Sequence, residues 1–125
     1  MAQRELHGVR IEPDGSRTDV TMPGSESVYR FYERELGAHA ETGRYGTPES
    51  AVLAVVHELS AVDGQPVNGA ATAFVNQIRG GQLTYWLHGT ILFFGLDPHS
   101  GDTTDLTAEQ RTVLASLPAP TGGAR

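Results

Sequence analysis

The chain of 125 residues contains no cysteine. That excludes a disulfide framework, a thiolate nucleophile, an iron–sulfur cluster and any cysteine-based zinc site. Lysine is missing as well: all 9 cations are Arg, set against 15 carboxylates, for a net charge of −6. The Arg residues are scattered and none forms a run, so the basic surface needed to hold duplex DNA or RNA is lacking. The carboxylates are spread too thinly for an acidic DNA mimic. Long apolar runs are also absent. The longest, 51–56 and 91–96, fall far short of the roughly 20 residues of a membrane helix. Residues 1–10 carry Arg4, Glu5, His7 and Arg10 without an apolar core, unlike a signal peptide. The expectation is a cytoplasmic protein that touches neither duplex nucleic acid nor membrane.

What is present suits one globular unit. The length fits a single domain, and 38% hydrophobic content is lean yet well above that of a disordered chain. Arg to the exclusion of Lys, with abundant Ala, Gly and Thr, fits a GC-rich coding bias, as in a high-GC bacterium or its mobile elements. The 15 Gly and 7 Pro imply several turns.

Leu6, Val9 and Ile11 precede Pro13-Asp14-Gly15-Ser16, and Thr18, Val20 and Met22 follow. Pro fixes φ, Asp bonds its own backbone and Gly accepts positive φ, so a hairpin is expected with strands near 5–12 and 17–22. Ser25 is read as the cap of a helix with Glu26 in its first turn, Gly37 as its stop, and a Glu26–Arg30 pair on its surface. Val28, Phe31, Tyr32 and Leu36 form the buried face. Residues 38–60 are ambiguous. The run 51–57 reads as a strand buried on both faces, with a turn at Val62-Asp63-Gly64. A helix capped by Thr47 is the alternative.

Asn68 is read as the cap of a helix that carries Ala70, Ala71, Phe74, Val75 and Ile78 and ends at Gly80-Gly81. As a cap, Asn68 should tolerate Asp and leave Val67 free to pack under the helix. Leu83, Tyr85 and Leu87 alternate, and Ile91-Leu92-Phe93-Phe94 follows, which suggests two strands around His88-Gly89 or one bulged strand. Asp97 to Asp102 reads as a surface loop. Thr107-x-x-Gln110 has the form of a capping box opening a last helix with Val113, Leu114 and Leu117 inward. Residues 118–125 are expected to be a disordered tail after a single domain over 1–117. The element order is ββαββαββα: an α+β domain with helices on one face of a mainly antiparallel sheet.

Chemistry is sparse. His57, Glu58, His88, Asp97, His99 and Asp102 are the residues from which a metal or acid–base site could be built, yet no HExxH or paired His at i, i+4 occurs. A calcium loop at Asp97–Asp102 would need ligands where Pro98 and His99 stand. No Gly-x-Ser-x-Gly elbow, Walker motif or dinucleotide fingerprint appears, so no catalytic residue, cofactor or metal is assigned. On an alternating strand Tyr85 and Trp86 face opposite ways, and the one left outside is the candidate partner anchor.

The C-terminal half resembles a small domain of unknown function found in actinobacterial, phage and plasmid genomes. The likeness rests on Gly64-x-Pro66-x-Asn68 opening a helix, on His88-Gly89 before a short apolar strand, and on the Asp97–Asp102 turn before the closing helix. Pro13-Asp14-Gly15 is similar to the start of that domain. The resemblance implies a strand at 51–57 and brings no catalytic residues. The leading expectation is a non-catalytic accessory protein of mobile-element origin that binds another protein; the alternatives are a small metal-assisted hydrolase using His57, His88 and His99, and a self-associating structural protein.

Overall fold

In the computed structural model, residues 5–24, 27–36, 40–57 and 64–118 are described, apart from the side chain of Tyr29. The Ser25 cap, the Glu26–Arg30 pair, the Gly37 stop, Glu58, the Val62-Asp63 part of a turn and the tail from 119 lie outside them. The elements are β1 (Leu6–Ile11), β2 (Arg17–Met22), α1 (Val28–Leu36), β3 (Ala40–Gly46), β4 (Ala51–His57), α2 (Gly69–Arg79), β5 (Ile91–Leu96), β6 (Thr103–Thr104) and α3 (Ala108–Ser116). Their order is ββαββαββα in one α+β domain. The strands lie β2-β1-β5-β4-β3, with β6 paired to β5 beside β1, and every ladder is antiparallel.

The hairpin forms as its turn chemistry requires. Gly15 has φ 92°, and Asp14 Oδ1 accepts from the backbone N–H and hydroxyl of Ser16, which holds the Asp14 carboxyl below its ordinary value. The run 51–57 is a strand, central to the sheet and paired on both sides.

The helices do not share one face. Val52, Ala54, Ile91 and Phe93 pack with Ala71, Phe74, Val75, Ile78 and Leu114 of α2 and α3. Leu53, Val55, Leu92 and Phe94 pack on the opposite side with Phe31 and Tyr32 of α1. Adjacent strand residues point to opposite faces, and both β4 and β5 are apolar at successive positions, so each face needs its own cover. Val28, expected in the buried face of α1, is exposed at the first turn.

Residues 83–87 are not a strand. Leu83 N–H donates to Asn76 Oδ1 (2.7 Å) and Leu87 N–H to Thr72 Oγ1 (3.0 Å), while the Leu87 carbonyl accepts from Asn68 N–H (2.7 Å). Side chains and backbone at the start and along one side of α2 take the polar groups that a ladder would have used. The remaining strand of the order is β6. Beside its pairing with β5, β1 needs Gly8: a Cβ there would stand 2.2 Å from the Phe93 carbonyl oxygen.

Candidate functional site

Asn68 caps α2 as the sequence indicates, its Oδ1 accepting from Ala71 N–H at 2.9 Å. It is also wholly buried (0% exposed). Its Nδ2 donates to the carbonyls of Ile11 (2.9 Å) and Gly89 (2.8 Å), so the cap also fastens the end of β1 to the 80–90 loop. Four residues on, Thr72 Oγ1 donates to the Asn68 carbonyl and accepts from Leu87. Four further, Asn76 takes Leu83. Residues four apart share a helix side, so Asn68, Thr72 and Asn76 form a polar row along which the loop is fixed. At the far end of α2, Gly80 adopts φ 72° and closes the helix, and Arg79 holds the carbonyls of Gly81 and Gln82.

This anchoring turns both aromatics of the loop outward. Trp86 is 62% exposed and Tyr85 51%. The expected choice between them does not arise, because strand alternation does not govern this segment. Val67, expected to pack under the helix, is instead 45% exposed, its backbone bridged to His88. A recess of about 190 Å³ lies between Thr72 and Asn76 of α2 and the stretch Gln82 to Trp86. Tyr85 Oη meets Tyr45 Oη of β3 at 3.0 Å. Burial, and then this hydrogen bond, push the Tyr45 phenol above its ordinary value. Sequence reasoning missed Tyr45, because β3 carries no apolar alternation to mark it.

The histidines do not converge. Ala51 pairs with Leu96, so His99 follows β5 at the Ala51 end of β4, whereas His57 lies at the other end. Seven strand residues at about 3.4 Å each separate those ends by roughly 20 Å, against metal–ligand bonds near 2 Å. His88 Nδ1 donates to the Gln65 carbonyl at 2.9 Å. Among the described residues no three His, Asp or Glu side chains gather closely enough to hold a metal ion. The Asp97–Asp102 segment is a turn. Asp97 Oδ1 accepts from the backbone N–H groups of His99 and Ser100, and these bonds hold its carboxyl below the ordinary value. Beside it, a groove of about 460 Å³ runs past Tyr45, Pro48, Leu96 and Asp97, with the carboxylate of Asp97 already engaged by the turn.

No helix among the described residues is long and apolar enough to cross a membrane. No protein family, curated protein or solved structure matches the chain.

Proposed function

We propose that the chain is a non-catalytic accessory protein that binds another protein through Tyr85 and Trp86. The observation that supports this reading is the outward position of two adjacent aromatic side chains on a loop whose backbone is fastened to α2. Tyr and Trp are the residue types that most often dominate binding energy at protein interfaces. The resemblance to the small actinobacterial, phage and plasmid domain belongs to the same proposal and supports a mobile-element origin. A cytoplasmic setting, read from the cysteine-free composition, is part of it too.

The test is capture of partners from a lysate of the source organism with the native chain, Tyr85→Ala and Trp86→Ala. Trp86→Ala should lower recovery of a specific partner at least tenfold, the size of a modest interface anchor, with an unchanged melting temperature. Equal recovery by all three proteins would remove the aromatic pair from the argument.

A further inference from the structure

Among the described residues β3 ends the sheet on one side, and its hydrogen-bonding phase is set by the turn that follows it. Thr47 and Ser50 exchange both backbone bonds (2.8 and 3.2 Å) just beyond it. Bonded and non-bonded pairs alternate along an antiparallel ladder. With Tyr45 opposite Val52, Gly43 opposite Ala54 and Glu41 opposite Val56, those three residues bond β4. Ala40, Thr42, Arg44 and Gly46 therefore turn their N–H and C=O groups away from the sheet, and the last three are exposed.

Natural edges are usually blunted by Lys, Pro, a bulge or shortness. This one has seven residues, no Pro, an unbroken seven-pair register with β4, and a chain without Lys. The opposite edge, β2, is tied to α3 instead: Arg17 donates to the Leu114 carbonyl and Arg111 pairs with Asp19.

We propose that two copies of the chain pair antiparallel through their β3 edges, about a two-fold axis beside Gly43. An axis perpendicular to the sheet keeps each face continuous, so residues opposite one another must belong to the same face. Setting Gly43 against Gly43 of the second copy meets this rule. Thr42 then faces Arg44 of the second copy, and Ala40 faces its Gly46, so all four outward residues of each copy find outward partners. The register two residues away, with Thr42 against Thr42, sets Gly46 past the start of the second copy's β3 at Ala40.

The side chains agree with that register. Glu41 falls opposite Tyr45 of the second copy, a residue on which the charges of Arg79 and of its own chain's Glu41 both act, so the pairing adds a second carboxylate on the side of Arg79. No like charges face each other directly along the seam, Arg44 standing opposite Thr42 of the second copy. The Tyr45 ring leans over Gly43, 3.3 Å from where a Cβ would be, so the two rings come together beside the axis. A seam of one strand is small among stable interfaces, and the dimer is therefore reversible.

Light scattering of the full chain over a concentration series tests the proposal. The native mass should rise toward twice that of one chain. Thr42→Pro removes an outward N–H without touching the bonds to β4, a tolerated place for Pro, and should stay at the mass of one chain with unchanged circular dichroism. Glu41→Arg should weaken the dimer about tenfold, one such step in a dissociation constant, and Glu41→Arg with Arg79→Glu should restore it. A native mass that stays at one chain, a folded Thr42→Pro that still dimerises, or assembly beyond two copies would overturn the proposal. If Thr42→Pro does not fold, an unweakened Glu41→Arg does the same. Trp86→Ala is expected to leave the mass unchanged, which separates this result from the partner-binding reading.

Discussion

Asn68 uses its oxygen as a helix cap and its amide nitrogen as a clamp on two carbonyls. Asn68→Ala loses a cap worth about 1 kcal/mol and removes the buried amide donor from the carbonyls of Gly89 and Ile11, so a total of about 2–4 kcal/mol is expected. Asn68→Asp, which a cap alone would tolerate, is expected to be at least as damaging at pH 7, because a carboxylate would face the carbonyls of Ile11 and Gly89. Burial against those oxygens raises the folded-state pKa of such an Asp above its unfolded value. Its stability is then greatest below the unfolded pKa and is lost as pH rises through the folded one. Urea unfolding at pH 7 and near pH 4 would show the deficit of Asn68→Asp relative to the native chain shrinking in acid, while that of Asn68→Ala would not shrink in this way. A constant deficit for Asn68→Asp would contradict the clamp. The cap was legible because it obeys a local rule. The clamp was not, since Ile11 lies 57 positions away.

At the scale of elements, α3 shows the same division. Its capping box forms as read from Thr107 and Gln110. Gln110 also reaches sideways, donating to Ser50 Oγ (3.1 Å) and to the Ala51 carbonyl (3.0 Å), which pins the helix to the start of β4. Thr107→Ala should cost about 1 kcal/mol. Gln110→Ala should cost about 1–3 kcal/mol beyond its share of the box. Gln110→Glu keeps the acceptor and loses the donor, so it should resemble Ala in denaturant melts. Helices were readable here because caps and stops are short-range chemistry. β3 was not: Ala-Glu-Thr-Gly-Arg-Tyr-Gly is a half-exposed edge whose partners lie on β4. The 83–87 segment showed strand alternation, but its hydrogen bonds were already claimed by positions 68, 72 and 76, a spacing of four that the sequence does display.

Across the whole molecule, β4 and β5 serve two cores at once. The uninterrupted apolar run at 51–57 is the mark of a strand covered on both sides, and a one-sided arrangement of helices could not have satisfied it. Phe93 packs edge-on against Phe74 on one face, and Phe94 against Phe31 on the other. Phe93→Ala and Phe94→Ala should each cost about 3–5 kcal/mol. Because both cores share these strands, calorimetry should show each variant lowering one common transition; two separated transitions would mean that the faces unfold independently. The candidate site was legible in part. Tyr85 and Trp86 stand out as aromatics, whereas their joint exposure and the approach of Tyr45 depend on how the loop is held. The spread of His57, His88 and His99 depends on strand direction, which three isolated histidines do not reveal.

The polar row Asn68, Thr72 and Asn76 has a thermodynamic consequence for the loop it holds. Ordering a free segment on contact subtracts from the gain of binding. Here that entropy is already lost on folding, at Leu83 and Leu87 on either side of the aromatic pair. A molecule landing on Trp86 would meet a surface close to its bound shape, and the adjustment left to make would be the rotamers of two side chains.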